Sequence, residues 1–280
     1  MKKQILVIGS TGKTGSRVAS LLKDMGHQVR NGGRYDEPSF DWQNSETFAP
    51  ALEGMDAAYI TYYPDLAVPG AKEAIAQLTE AAKEMDVKKL VLLSGKGEKE
   101  AEACEQIVAN SGCDYTLVRA SWFNQNFSES FLLDPILAGH VALPMPQAEV
   151  PFVDVNDIAE VAVNALLDDK WNGRTLTVTG PEKLTFKQVI DEIASATGRT
   201  IEFQPVTIEA YAEMMKEAGL PDDYVWLFSY LFEEVLGNAE NQDISHDIEE
   251  VLNREAMSFS SYAEKTSETG IWNQMVPNAI

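Results

Sequence analysis

The residues Ile5-Leu6-Val7-Ile8-Gly9-Ser10-Thr11-Gly12-Lys13-Thr14-Gly15 decide how the chain folds. Four consecutive apolar residues running into a glycine suit a strand buried on both faces of a sheet. Val18, Leu21, Leu22 and Met25 then recur on one helical face, and Gly26 stops the helix. Strand, turn and helix follow without a gap, and each glycine has a reason at its place. Gly9 permits the sharp exit from the strand. Gly12 lets the backbone approach a pyrophosphate that a Cβ would obstruct, and Gly15 lets the helix pack closely on the strand. Thr11, Lys13 and Thr14 add donors, while the free N–H groups of the helix start attract an anion. The spacing is GxxGxxG rather than the GxGxxG of ordinary dehydrogenases. A Walker A loop is excluded, because only two residues separate Gly9 from Gly12 where that loop needs four.

Outward from this turn, short apolar runs alternate with helical patterns. Gln28–Arg30, Ala57–Tyr62, Leu90–Leu93 and Tyr115–Val118 read as strands. A piece near Glu46–Leu52, the Ala-rich segment Ala71–Met85 and Glu100–Ala109 read as helices. This alternation predicts an α/β fold, a doubly wound parallel sheet covered on both faces. After Arg119 the rhythm changes. Ser121–Gly139 is aromatic and helix-compatible, Val155–Leu167 is a strong amphipathic helix, and Leu176–Val178 and Ile201–Phe203 are short strands around a helix at Phe186–Ala196. The pattern from Thr207 onward is mainly helical, and Gln274–Ile280 is expected to fray. The expected organisation is a nucleotide-binding domain over residues 1–150. A mixed part over 151–280 completes the sheet and covers a substrate.

A dinucleotide site of this kind ordinarily carries an acid about 20 residues beyond the glycine turn, for the ribose hydroxyls. Here the stretch is Val29-Arg30-Asn31-Gly32-Gly33-Arg34, with two arginines and no acid. A guanidinium pairs with a 2′-phosphate that a carboxylate would repel, so NADP(H) is expected in preference to NAD(H). Arg34 is the better-placed selector, with Arg30 and Asn31 as neighbours. Asp41 is placed to meet an adenine amino group or is a plain surface acid. Thr61 and Ser94, at strand ends, are candidates to touch ribose or nicotinamide, or else cap turns.

The 280 residues carry 22 Lys and Arg against 44 Asp and Glu, a net charge of −22. That balance argues against nucleic acid, whose affinity rests on cation–phosphate contacts, and against anionic lipid. It favours approach of a cationic substrate. The two cysteines, Cys104 and Cys113, build no disulfide framework, and neither they nor the dispersed His27, His140 and His246 have metal-ligand spacing. The apolar run after Met1-Lys2-Lys3 ends at Gly9, too short for a signal peptide, and no stretch is long enough to span a membrane. A cytoplasmic location is expected. Acidic stretches at Glu98–Glu105 and Asp243–Glu250 read as solvated helix faces. Monomer and homodimer both stay open.

Several stretches together carry a family resemblance: Gly9–Gly15, Phe40-Asp41-Trp42, Leu92-Leu93-Ser94, Ser111–Arg119 with Trp122-Phe123-Asn124-Gln125-Asn126-Phe127, Pro151–Ala159 and Thr179-Gly180-Pro181-Glu182. With these the chain resembles the NmrA-like branch of the atypical short-chain dehydrogenase/reductases, most nearly the fungal ergot-alkaloid reductases of the festuclavine and agroclavine dehydrogenase type. The resemblance implies a Rossmann-type cofactor domain and a smaller C-terminal part that closes over the nicotinamide end. The chain departs from the wider superfamily in one respect. None of its nine tyrosines is followed four residues later by lysine, so the Tyr-x-x-x-Lys acid/base pair is absent. Ser94 stands where the family's catalytic serine would be.

Three readings follow. The chain is a reductase delivering hydride to a small iminium- or quinone-like electrophile without that pair, where positioning matters most. It is a non-catalytic cofactor-binding redox sensor. Or its acid comes from an unexpected place, such as Tyr62, Tyr63 or Lys96. Trp122, Phe123, Asn126 and Phe127 are candidates for an aromatic substrate wall with one polar handle, or else core.

Overall fold

The structure, a computed structural model, describes residues 2–273; the fraying expected at Gln274–Ile280 lies outside the described residues. Strands β1 (Gln4–Ile8), β2 (Gln28–Gly32), β3 (Ala57–Ile60), β4 (Lys89–Gly95), β5 (Asp114–Ala120), β6 (His140–Leu143), β7 (Arg174–Val178) and β8 (Glu202–Pro205) form two sheets. The larger is six-stranded and parallel, in the order β2-β1-β3-β4-β5-β7, and β6 pairs with β8 in a separate parallel ribbon. The helices are α1 (Lys13–Asp24), α2 (Phe48–Leu52), α3 (Ala71–Glu84), α4 (Lys99–Ala109), α5 (Leu133–Ala138), α6 (Val155–Leu167), α7 (Phe186–Thr197), α8 (Ile208–Glu217), α9 (Asp222–Tyr230), α10 (Asp247–Leu252) and α11 (Phe259–Glu268).

The chain folds as two interleaved units. One is Met1–Ala120, Val155–Val178 and His246–Arg254; the other is Ser121–Asp154, Thr179–Ser245 and Glu255–Ile280. This replaces the single boundary expected near residue 150. The reason lies in what the sheet needs. Its sixth strand is β7, and α6 buries Ile158, Val161, Ala162, Ala165 and Leu166 in that unit. Lys3 Nζ donates to the Leu166 carbonyl at 2.9 Å and Thr116 Oγ1 to the Trp171 carbonyl at 2.9 Å, tying the returning segment to the first strands. Arg254 pairs with the wholly buried Asp157 of α6 at 2.7 Å, which fastens the end of the α10 segment.

In the sheet unit the apolar runs behave as their composition demands. Ile5, Leu6, Val7 and Ile8 are buried, as are Leu90, Val91 and Leu92. Leu6, Ile8, Ile60 and Leu92 pack with Ile75, Leu78 and Val108 on one face. The order reverses between β1 and β3, so the carboxyl ends of those strands form the topological switch point where ligands of open α/β sheets bind.

The second unit has an aromatic core in which Phe127, Phe152, Phe186 and Phe259 lie within 6.4 Å of one another, centroid to centroid, in successive contacts. Only Leu133–Ala138 of the helix-compatible stretch Ser121–Gly139 becomes α-helix; Asn124–Phe127 is one 3-10 turn. Ser and Asn recur there, and such side chains compete for backbone bonds and favour turns. The Asn124 N–H bonds to the Val153 carbonyl at 2.8 Å instead.

Candidate functional site

At the switch point two glycines, Gly9 and Gly15, are required by contact, and Gly12 joins them in the turn. Gly9 has φ +73°, and its N–H bonds to the Gly32 carbonyl at 3.0 Å, locking the end of β1 to the end of β2. A Cβ on Gly9 would lie 2.3 Å from Thr61 Oγ1, and that hydroxyl donates to the Ile8 carbonyl at 3.0 Å. Thr61 therefore joins β3 to β1 across the switch. A Cβ on Gly15 would lie 2.2 Å from the Gly9 carbonyl oxygen, which is the close helix–strand approach expected of that position. Gly12 donates to the same carbonyl at 2.8 Å and begins α1 as its N-cap.

Helix α1 starts with no side-chain cap and no acid in its first turn. The other long helices of the sheet unit each place an acid there: Glu73 in α3, Glu100 and Glu102 in α4, Asp157 in α6. The N–H groups and dipole of α1 thus face an exposed glycine turn with neither a capping side chain nor a first-turn acid to complement them. Thr11 and Gly12 are exposed, Lys13 half-buried and Thr14 buried. The Lys13 carbonyl accepts from Arg17, whose Nε donates to Asn156 Oδ1 at 2.9 Å. These residues fit a diphosphate: a short backbone cradle that side chains would fill, at an uncapped helix start.

The two arginines of the selector stretch separate cleanly. Arg30 donates to the carbonyls of Ala51 at 2.9 Å and Glu53 at 2.7 Å, closing the C-terminal end of α2. Arg34, in the turn after β2, is exposed and has no hydrogen bond or ion pair among the described residues. Asp41 is engaged locally: its Oδ1 accepts from the Gln43 N–H at 3.0 Å and its own N–H donates to Thr47 Oγ1 at 3.0 Å. Beside it Trp42 donates to the Thr61 carbonyl at 3.1 Å, and its ring meets Tyr62 at 4.8 Å. Burial, then the neighbouring Cys104 and Glu73, push the Tyr62 phenol up.

At the end of β4 Ser94 is buried and its Oγ has no hydrogen bond. Tyr63 is 75% exposed. The stretch expected to be a solvated acidic face is not one throughout. Glu105 is fully buried and makes a two-pronged pair with Arg119, and Glu98 is 7% exposed. The Glu98 carboxyl fills the space beside Gly95, where a Cβ would come within 1.8 Å of Oε1. It faces the Asp65 carboxyl at hydrogen-bond range. Burial, then Asp65, raise Glu98 well above the usual carboxylate range, and burial raises Asp65. Sequence reasoning passed over this pair. The only signal was position, since both acids follow strands at the sheet's carboxyl edge.

The aromatic stretch belongs to the second unit. Trp122 packs on Phe131, Phe186 and Phe232, and its indole N–H is buried without a partner. Phe123 and Asn126 are half-buried. Phe127 is fully buried in the core, and its carbonyl accepts from Trp272 at 2.8 Å. It is therefore a core residue and not part of a substrate wall, because its ring is enclosed by Phe152, Phe186 and Phe259. The neighbour Asn124, not singled out from the sequence, is fully buried with both amide atoms unpartnered, while Gln125 donates to Asp154 at 2.8 Å. Among the described residues no cluster of three or more His, Cys, Asp or Glu could hold a metal, and no helix is long and apolar enough to cross a membrane.

The sequence profile of the NmrA-like family matches residues 1–267, and the chain belongs to that family. Prestalk A differentiation protein A of Dictyostelium discoideum is 27% identical over 95% of this chain and 93% of its own length. Agroclavine dehydrogenase of Claviceps fusiformis is 28% identical over 96% of this chain and 98% of its own. Among solved structures, a nucleoside-diphosphate-sugar epimerase from Staphylococcus aureus superposes with a TM-score of 0.78 at 18% identity, covering 94% of this chain and all 100% of that one. The NADPH complex of the Escherichia coli NADPH-dependent quinone oxidoreductase gives 0.75 at 19% identity, over 95% and 99%. NmrA, a negative transcriptional regulator, in complex with NAD gives 0.72 at 18% identity, over 96% and 98%. These structural likenesses carry the fold, and the profile match places the chain among NmrA-like proteins, with clavine dehydrogenases among the similar sequences.

Proposed function

We propose that this NmrA-like chain is an NADP(H)-dependent reductase that passes hydride to a small iminium- or quinone-like electrophile. The observation that carries the reading is the uncapped, acid-free start of α1 behind the Gly9–Gly15 turn, with an unpaired Arg34 at the end of the neighbouring strand. NADPH, when bound, supplies the hydride. The chain's own residues bind and orient it. The α1 N–H groups and Gly12 hold the diphosphate, Arg34 takes the 2′-phosphate, and Thr61 and Ser94 line the strand ends leading from ribose towards nicotinamide. Asp41 keeps one carboxylate oxygen for the adenine amino group. Much of the barrier reduction comes from placement, since a bound donor and acceptor react as one molecule. The names of the relatives support the electrophile class: one similar sequence is an agroclavine dehydrogenase and one similar fold a quinone oxidoreductase.

A second reading has its own support. One structural neighbour is a negative transcriptional regulator, and this chain lacks the Tyr-x-x-x-Lys pair. A redox sensor of that type binds cofactor and turns nothing over. Two measurements separate the readings. NADPH and NADH are titrated by cofactor fluorescence, and NADPH consumption is followed with a panel of quinones and cyclic iminium ions. The reductase reading expects tighter NADPH binding and turnover on at least one class. Cofactor binding with no turnover across the panel, and different affinities for NADP+ and NADPH, would replace it with the sensor.

A further inference from the structure

We propose that the Asp65–Glu98 carboxyl pair stores one proton and delivers it through Asp65 to the oxygen of a quinone or carbonyl substrate as hydride arrives. This inference rests on the reductase reading above and names the acid that the missing Tyr-x-x-x-Lys pair leaves unassigned.

The geometry comes first. Asp65 lies in the loop after β3 and Glu98 in the loop after β4, and these strands are neighbours on the switch-point side of the sheet. Both acids therefore sit at the carboxyl edge, the side on which open α/β sheets take their ligands. Gly95 leaves room for the Glu98 carboxyl, because any side chain there would collide with it. Glu98 Oε2 is buried with no hydrogen bond, and the Ser94 hydroxyl of the same strand end is also unpartnered. Asp65 is half-buried where Glu98 is buried, which makes it the less enclosed member of the pair; its Oδ1 is fixed by the Ala67 N–H at 2.8 Å.

Two carboxyl groups at hydrogen-bond range cannot both ionise easily, so one proton stays in the pair. The surroundings reinforce this. Glu100 and Glu105 add negative charge beside Glu98, and Glu100 beside Asp65. Arg119 pairs with Glu105, and Lys72 acts on Cys104, which also senses Asp65, so the cations nearby are spent on other groups or lie one side chain away from the pair. The Ala67 N–H opposes the trend at Asp65, which leaves Glu98 as the proton's resting place and Asp65 as acceptor and exit. The two groups titrate as a unit.

The step balances. Hydride from the nicotinamide adds to the electrophilic carbon and the π electrons move to oxygen. Glu98 passes its proton to Asp65, Asp65 passes it on to that oxygen, and the pair, left dianionic, regains one proton from water. An iminium or a cationic triarylmethyl carbon needs hydride alone and makes no demand on the pair. The proposal therefore assigns the pair to oxygen-bearing electrophiles.

The test compares wild type with Glu98→Gln and Asp65→Asn on a quinone and on a cationic triarylmethane dye. Glu98→Gln keeps a hydrogen bond to Asp65 but removes the stored proton. The expected result is a fall of about tenfold or more in kcat for the quinone, within the range general acids supply, with KM for NADPH and dye reduction unchanged. Quinone kcat in wild type should fall as pH rises, and this limb should disappear in both variants. Infrared difference spectra of the unliganded protein supply a readout apart from turnover: a protonated-carboxyl band at neutral pH, lost in Glu98→Gln. Unchanged quinone kcat in Glu98→Gln, equal losses on both substrates, or no such band would overturn the proposal. Failure of wild type to oxidise NADPH with any substrate would instead sink the reductase reading itself.

Discussion

Arg30 and Arg34 stand four residues apart in the sequence and have different surroundings, which makes them a matched pair of probes. Arg34 has no protein partner among the described residues, while Arg30 spends its guanidinium on the last carbonyls around α2. Replacing Arg34 by Asp should cost NADPH about 1.5–3 kcal/mol of binding, roughly ten- to a hundredfold, and leave NADH little changed. Arg30→Ala should lower unfolding stability by about 1–3 kcal/mol and leave the NADPH/NADH ratio alone. Fluorescence titration and urea unfolding of the two variants check both halves. An unchanged ratio in Arg34→Asp would move the phosphate selector elsewhere. Glu98 supplies a second residue-scale prediction. Its folded pKa is raised above the ordinary 4.5, first by burial and then by Asp65. The native state thus keeps a proton that the unfolded chain releases, and the contribution is full below 4.5 and lost as pH climbs through the raised folded value. Glu98→Gln, which cannot ionise, should match wild type near about pH 5 and melt higher near about pH 8, as calorimetry at the two pH values would show.

At the scale of the element, the turn between β1 and α1 allows binding and folding to be separated. A Cβ on Gly12 would rest 3.3 Å from the Gly9 carbonyl, whereas one on Gly15 would drive to 2.2 Å of it. Gly12→Ala should therefore stay within about 1 kcal/mol of wild type in stability and still lose NADPH affinity about tenfold or more, because the methyl stands where diphosphate must approach. Gly15→Ala should lose about 3 kcal/mol or more of stability, since the helix must lift from the strand. Equal melting of the two variants would refute this division. This turn was fully legible in the sequence because its constraints are local: apolar run, three glycines, helical period. The sheet was legible for the same reason, and Leu90–Leu93 lengthened to Gly95 only because pairing with β5 continues. What could not be read needs contacts between distant segments. Nothing local to Phe127 says that Phe152 and Phe259 will enclose it. Nothing local to Glu98 says that Asp65 will face it. The role of Arg30 depends on where α2 ends. That the part after residue 150 helps to complete the sheet was expected; which residues return, Val155–Val178, is decided by an unfilled sheet edge rather than by any boundary signal in the chain.

At the scale of the whole molecule the net charge of −22 poses a problem for an anionic cofactor. The distribution of that charge resolves it. Lys2, Lys3, Lys13, Arg17, Lys23, Arg30 and Arg34 precede Tyr35, with Asp24 the one acid among them. The segment that builds the glycine turn is therefore basic, while the remainder of the chain holds nearly all of the negative charge. Two fields compete at the site, and range decides between them. At physiological ionic strength charges are screened beyond about 8 Å. The distant acids then weaken more than the cations of the glycine turn and Arg34, which on the proposed reading adjoin the cofactor's phosphates. NADPH affinity should accordingly fall as salt is raised from physiological strength, as for any anion held by nearby cations, and the fall should be shallower in Arg34→Asp. If the net charge governed instead, screening would remove a repulsion and salt would tighten NADPH binding. The sign of the slope of log Kd against log salt, measured for NADPH in both proteins, distinguishes a locally basic site from a globally acidic surface.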